Sequence, residues 1–580
     1  MAVTFTLDLK ALLAASSALA QTGSSGIIPD GSQYEPIELL HALRANAGKI
    51  SVFNQVGEIA LPPSRRVFAF LEQAVVPVRA PLGGIVHPKI WVLRYETADE
   101  PPPGRQKERR LRVLVSSRNL TFDPSWDTVV RLDESDDPKG ASLGPVGELF
   151  EGLLGAAVGT VSVAHRDRVQ SLSAAIKSSR FALPAGVEDL RAHVLGLITA
   201  PSPLPRTAER SLIVSPFVSD DFFTRVHPVP VDELVSRPEQ LHHLTEATLE
   251  RVKTWPFAFD DGSLTSLESE EVGASPHDPG RPLVGLHAKI FAFENEGETR
   301  LFVGSANATG AAFSSNVEVL LELIGRGREL GIDRLFDGTC DEPGLRRLFV
   351  TYHRREDADL EDGPTLVDIT RRAIAQLQFD GVVEQSGSGW AVMYRSHEPV
   401  CAPVGTEIHC WPLASAGNRR RVVLDECLEA RFETTIEAIS GFLAFEVARR
   451  DDEDTRSGFV VPVSLVGVPE SRERCLLRAL VGNAERFFRY LLALLDEDPD
   501  QMDMIDALDS GSTDPVAFES GYTSMPVLEK LLRTMRREPA KLAGLHPLVT
   551  DLAADDALPP GFIELWMAIY DEVDLGASVQ

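Results

Sequence analysis

Apolar positions in this chain gather into short β-branched runs separated by longer amphipathic stretches. KISVFNQVG, from Lys49, and RSLIVSPFV, from Arg210, each read as a buried strand ending in turn residues. A helix-like stretch follows each one: SRRVFAFLEQAV in the first case, ELVSRPEQLHHLTEATLERVK in the second. Strands alternating with helices predict α/β layers. RDRVQSLSAAIKSSRFAL predicts a further helix between the two regions. The opening, MAVTFTLDLKALLAASSALAQ, predicts a strand and then a helix. It lacks a clear basic start, because Asp8 offsets Lys10, and its apolar stretch is interrupted by Ser16 and Ser17, so no secretory leader is expected. No apolar run reaches the ~18 residues of a membrane span.

Beyond residue 340 the pattern changes. Residues 365–377 predict a helix, and GVVEQSGSGWAVMYRS predicts two strands around a Ser-Gly-Ser-Gly turn. EIHCWPLA, RRVVLDEC, RFETTIEAIS, FLAFEVARR and GFVVPVSLV predict a β-rich module. ERCLLRALVGNAERFFRYLLALLDED then predicts an amphipathic helix, followed by a helical, acidic tail. The expected spans are 1–185 and 186–340 for two related α/β domains, 341–470 for the β-rich module and 471–580 for the helical region.

The relation between the first two spans is an internal repeat. VHPKIWVLRYE, a charged loop and LRVLVSSRNLTFDPSWDTVVRLDE make one copy. LHAKIFAFENEGETRLFVGSANATGAAFSSNVEVLLEL makes the other. Each reads as an apolar strand carrying His-x-Lys, a connection, a second strand, and then small residues and Asn. His87 and His287 stand 200 residues apart, too far for a solenoid and suited to a duplicated domain. Side chains two apart on a strand share a face, so His87 and Lys89 project together, as do His287 and Lys289. Charged groups on an apolar strand are costly unless they have partners or serve a site. His242 and His243, on a helix, read as surface or packing residues. Pro88 implies a sheet edge or a local distortion, and Gly304 a close backbone approach. ADEPPPGRQKER and Ser266–Arg281 read as loop insertions.

With these residues the chain resembles the phospholipase D superfamily: His-x-Lys, then Gly/Ser-Ser-x-Asn, twice. Here they are His87-Pro88-Lys89 with Ser116-Ser117-Arg118-Asn119, and His287-Ala288-Lys289 with Gly304-Ser305-Ala306-Asn307. The downstream acid is matched by Glu318 in the second copy and by Asp127 in the first. The resemblance covers residues 35–330. The family's usual Asp five residues after the Lys is replaced by Arg94 and Glu294, as in members resembling tyrosyl-DNA phosphodiesterase. The resemblance implies one composite site and a two-step mechanism. His87 would attack phosphorus, and His287 would serve as general acid and then base, an order that the residues themselves leave reversible. Lys89, Lys289, Asn119 and Asn307 would hold the non-bridging oxygens, and Glu318 and Asp127 would orient the histidines, with Ser117 and Ser305 as supporting residues. It implies no metal or other cofactor, since the lysines supply the positive charge. Arg94 and Arg118 are candidates for binding substrate.

Charge restricts where a polyanion could lie. The net charge is −29, with 45 acidic and 25 basic residues after position 330 against 41 and 32 before it. The C-terminal part therefore does not read as a nucleic-acid surface. The five cysteines, Cys340, Cys401, Cys410, Cys427 and Cys475, show no disulfide framework, which favours a reducing, cytoplasmic setting. Cys401, His409 and Cys410 lack a second ligand pair for zinc. The leading expectation is a metal-independent nuclease acting on DNA or RNA, with bacterial restriction or antiviral defence as a fold-level analogy. A phospholipid hydrolase or transphosphatidylase is the first alternative. A non-catalytic subunit recruiting a partner such as a helicase through the C-terminal region is the second.

Overall fold

The computed structural model describes residues 1–21, 48–96, 109–122, 125–252, 257–259, 285–338, 344–353, 365–449, 452–481, 527–537 and 561–577, with isolated positions between the last two spans. Both expected loop insertions, and the helix sequence past Val481, lie outside them, apart from residues 109–110 at the end of the first. The chain divides into two compact units. Unit 1 comprises Met1–Asp8, Ser51–Ile59 and Val76–Thr365; unit 2 comprises Leu9–Ile50, Ala60–Val75 and Leu366–Gln580. This differs from the four consecutive spans read from the sequence. The stretches 9–50 and 60–75 belong with the C-terminal part although they interrupt the first repeat.

Unit 1 is mixed α/β, built on two sheets. Its first strands are β1 (Ala2–Thr4), β2 (Val52–Gln55), β4 (Val75–Val78), β5 (Ile90–Glu96), β6 (Arg109–Ser116), β7 (Val129–Ser135) and β8 (Arg180–Phe181), with β3 (Ile59–Ala60) at the junction with unit 2. They form a sheet in the order β4-β2-β1-β5-β6-β7-β8. The second sheet uses β9 (Val187–Leu195), β10 (Arg210–Val214), β11 (Glu233–Ser236), β12 (Phe257–Phe259), β13 (Ile290–Asn295), β14 (Glu298–Gly304), β15 (Glu318–Arg326) and β16 (Phe349–Thr351). Its order is β16-β12-β11-β10-β13-β14-β15-β9.

Five central strands run in the same order and sense in both sheets. β2-β1-β5-β6-β7 matches β11-β10-β13-β14-β15, with the first pair parallel and the others antiparallel. The counterpart of RSLIV is therefore Ala2–Thr4, not KISVFNQVG, whose strand Val52–Gln55 corresponds to Glu233–Ser236. Two helix expectations also change. SRRVFAFLEQAV forms only a 3-10 turn, Arg66–Leu71, because the β-branched run Val75-Val76-Pro77-Val78 continues as a strand. ELVS is strand β11, and helix starts at Pro238, whose ring disfavours helical backbone in the residue before it. The expected intervening helix is present as Val163–Ser178, with the Ser162 side chain accepting from His165 N.

One apolar core serves both sheets. Val3, Phe53, Ile90, Val92, Val113 and Val115 from the first share it with Leu212, Val214, Ile290, Ala292, Val319 and Leu321 from the second. Helix Gly144–Gly155 adds Val146, Leu149, Phe150 and Leu153. The other face of the second sheet packs Phe222, Phe223, Phe291, Phe293 and Phe302. Strand β15 is buried at every residue from Glu318 to Gly325, so its polar side chains need partners inside the protein.

Unit 2 contains helix Leu9–Gln21, helix Leu366–Ala375 and the expected β-rich strands. β17 (Phe379–Ser386) and β18 (Gly389–Pro399) form the hairpin foreseen around Ser-Gly-Ser-Gly. β19 (Thr406–Pro412), β20 (Arg420–Arg421), β21 (Cys427–Thr434), β22 (Phe442–Arg449), β23 (Asp452–Pro462) and β24 (Ser464–Val466) follow. They are arranged as β21-β18-β17-β24 and β20-β19-β22-β23. Among the described residues, no helix is long and apolar enough to cross a membrane.

Candidate active site

The two His-x-Lys tripeptides stand just before β5 and β13, not inside them. Each leaves its own sheet to pair with the other half. His87 N donates to Val317 O (2.9 Å) and Val317 N to Ile85 O (2.8 Å). In the same way His287 N donates to Trp126 O (2.8 Å) and Trp126 N to Gly285 O (3.0 Å). Pro88 therefore sits outside the β5 ladder and removes no ladder hydrogen bond.

This crossing decides which acid meets which histidine. Val317 and Trp126 immediately precede Glu318 and Asp127, so the backbone of each histidine is bonded next to the acid of the other repeat. His87 Nδ1 is 2.9 Å from Glu318 Oε2, and Glu318 is fully buried. Ser305 Oγ donates to the same oxygen at 2.5 Å and accepts from Val319 N at 2.9 Å. In the first repeat Ser117 Oγ accepts from Thr128 N at 2.8 Å, the same backbone bond one residue past Asp127. Ser117 and Ser305 thus fix the start of the strand behind each acid. Gly304 is required beside this bond: its φ is +156°, and a Cβ there would stand 2.1 Å from Val319 O.

The lysines repeat the two-fold pattern. Lys89 Nζ donates to His87 O and Lys289 Nζ to His287 O, both at 2.7 Å. Both are buried, at 2% and 1% exposure. Loss of water holds Lys89 well below its ordinary range, and the charge of Lys289 lowers it further against the pull of Glu318. Burial lowers Lys289 to about 7; Glu318 and Asp127 oppose the shift and Arg237 adds to it. Burial also brings His87 down to about 4, with Glu318 opposing and both lysines adding. Contacts across the repeats, His87 Nδ1 to Glu318 Oε2 at 2.9 Å and Lys289 Nζ to Ser117 O at 3.5 Å, bring the two halves together. His287 is half-buried.

Asn119 and Asn307 follow the two serines by two residues, and each is held from behind by the next residue. Leu120 N donates to Thr4 Oγ1 and Ala308 N to Ser215 Oγ, both at 2.9 Å. Among the described residues the Oδ1 atoms of both asparagines are buried without a hydrogen-bond partner. Thr4 and Ser215, at the ends of β1 and β10, are positioning residues that sequence reasoning missed. The same holds for Gln55 and Arg237. Gln55 Oε1 accepts from Val86 N at 2.8 Å, and Arg237 donates to Leu286 O at 2.8 and 3.1 Å. Each fixes the residue before a histidine. Only the strand correspondence reveals them, since no local motif marks them.

Arg118 lies at this site, donating to Thr121 O with its Nε 3.9 Å from Asp127. Arg94 does not. It lies five residues along the chain from Lys89, about 16 Å at strand spacing, beside Glu96. Arg109 pairs with Glu96 and Arg110 with Asp136, also away from the histidines. Glu294, at the other position of the missing Asp, accepts from Ile332 N at 2.8 Å and opens a short helix. Among the described residues, no group of three or more His, Cys, Asp or Glu could hold a metal ion.

No family model matches the chain, and no curated protein matches it. Among solved structures it is similar to a mutant yeast tyrosyl-DNA phosphodiesterase, at 11% identity and a TM-score of 0.28, over 57% of this chain and 83% of that one. A second mutant, of yeast tyrosyl-DNA phosphodiesterase 1, gives 12% and 0.25, over 49% and 79%. Polyphosphate kinase from Porphyromonas gingivalis gives 16% and 0.26, over 53% and 42%. Likeness at these scores is weak, and the site described above rests on its own residues.

Proposed function

We propose that this chain is a phospholipase-D-type phosphodiesterase that hydrolyses nucleic acid through a phosphohistidine on His87. The observation that carries this reading is the two-fold His/Lys/Asn constellation, with His87 Nδ1 bonded to buried Glu318. With Glu318 as the acceptor of that bond, the proton lies on Nδ1 and the Nε2 lone pair is left for attack. His87 Nε2 forms a bond to phosphorus as the bond to the leaving oxygen breaks, and His287 gives that oxygen its proton. Glu318 offsets the positive charge of the phosphorylated ring. In the second step His287 takes a proton from water, the water oxygen bonds to phosphorus, and the P–N bond breaks. Lys89, Lys289, Asn119 and Asn307 surround the non-bridging oxygens and stabilise the charge that builds on them.

Nucleic acid is preferred over lipid because the position of the missing Asp is occupied by residues with other tasks, and because Arg118 adds a cation beside Asn119. All site residues belong to unit 1. The test is digestion of single-stranded DNA, duplex DNA, RNA and phospholipid vesicles in EDTA. Cleavage of a nucleic acid that disappears in His87→Ala, with an acid-labile phosphoprotein trapped in His287→Asn, is the expected result. Turnover of lipid alone, or nuclease activity that survives His87→Ala, would defeat the proposal.

A further inference from the structure

The two halves of the site match closely, so the places where they differ are informative. At the end of β1, Thr4 Oγ1 donates to Thr6 O; at the end of β10, Ser215 Oγ donates to Phe217 O, both at 2.7 Å. Thr6 and Phe217 are therefore equivalent positions, as are Gln55 and Arg237. In the first half both are neutral and polar. In the second they are an exposed ring and a cation, and the two are stacked: the Arg237 guanidinium lies 5.1 Å from the centre of the Phe217 ring.

Neither substitution is needed for the fold. Gln55 shows that a neutral amide suffices to fix the residue before a histidine. Phe217 is 39% exposed and contributes little to the core. Its backbone is tied through Ser215 to the loop of Asn307, and its ring through Arg237 to the residue before His287. The ring is thus linked to the His287 half of the site from two directions. We infer that Phe217, backed by Arg237, is a stacking shelf for the nucleobase on the leaving-group side of the scissile phosphodiester. An aromatic face backed by a guanidinium accepts any base by stacking and needs no sequence-specific hydrogen bond. It needs an unstacked base, so it favours single-stranded or frayed substrate. This inference rests on the reading of the site as a nuclease.

The experiment compares kcat/KM for a single-stranded oligonucleotide with that for a small phosphodiester lacking a base on the leaving-group side, in wild type, Phe217→Ala and Phe217→Trp. In Phe217→Ala the ratio of the two is expected to fall about tenfold, the effect of one lost base–ring stack, and to do so through KM. Phe217→Trp is expected to restore it. An unchanged ratio in Phe217→Ala, or a Trp variant no better than Ala, overturns the shelf while leaving the nuclease reading in place. A wild type that turns over neither substrate overturns both.

Discussion

At the scale of single residues, burial sets the working range of the site. On the proposed mechanism His87 attacks as the neutral ring, and burial keeps it neutral above about 4. Lys289 in turn carries its proton to stabilise the phosphoryl oxygens on that mechanism, and burial lowers its pKa to about 7. The kcat/KM profile, which reports the free enzyme, is therefore expected to rise through about pH 4 and to fall beyond about pH 7. Lys289→Arg should move the alkaline limb upward even as the rate drops, since a guanidinium keeps its charge. An alkaline limb that stays in place would assign it to another group, first of all Lys89, which burial also lowers. Stability follows with a definite sign. Because folding lowers the His87 value, the unfolded chain takes up a proton that the folded chain refuses. That contribution is present above the unfolded value of about 6.5 and is lost as pH falls toward about 4, at most ~3 kcal/mol.

At the scale of elements, what the sequence makes legible is what is local. His-x-Lys and Ser-x-Asn each occupy one strand end, so their pairing could be read from spacing. The hairpin Phe379–Pro399 announced itself through its turn. The partnership of His87 with Glu318 could not be read, because it joins residues of different repeats through the backbone exchange at Val317. β1 could not be matched to β10 because three residues, Ala2–Thr4, are too few to show a period. A second long-range tie lies in unit 2. Arg472 donates to both carboxylate oxygens of Glu72 at 2.8 Å, and Gly441 N reaches the same group at 2.6 Å. Both side chains are mostly buried, at 15% and 13% exposure. Glu72→Ala would strand the Arg472 charge and is expected to cost about 3–5 kcal/mol. Replacing both with Met should recover much of that loss, because an apolar pair leaves no buried charge. Chemical denaturation of the three variants checks this; a double variant as unstable as Glu72→Ala would show that the ion pair itself is indispensable.

At the scale of the whole molecule, the interleaving of the two units changes what a truncation should do. A four-domain reading suggests that residues 1–340 could be expressed alone as the catalytic part. The observed division assigns Leu9–Ile50 and Ala60–Val75 to the unit completed by Leu366–Gln580. A chain ending at Thr365 keeps every site residue yet also keeps Glu72 without Arg472 and Gly441. It also keeps helix Leu9–Gln21, with its fully buried Leu9, Leu12 and Leu13, without the rest of its unit. Exposed apolar surface and an unpaired acid should make residues 1–365 aggregate or melt without cooperativity. Cutting out residues 9–50 does not by itself cure this, because β1 and β2 are parallel and need a crossover of about a dozen residues or more. The expected remedy is a separate chain of residues 366–580, co-expressed, restoring solubility and a cooperative transition. A soluble 1–365 chain that melts cooperatively by itself would show that unit 1 folds without the body to which residues 9–50 and 60–75 belong.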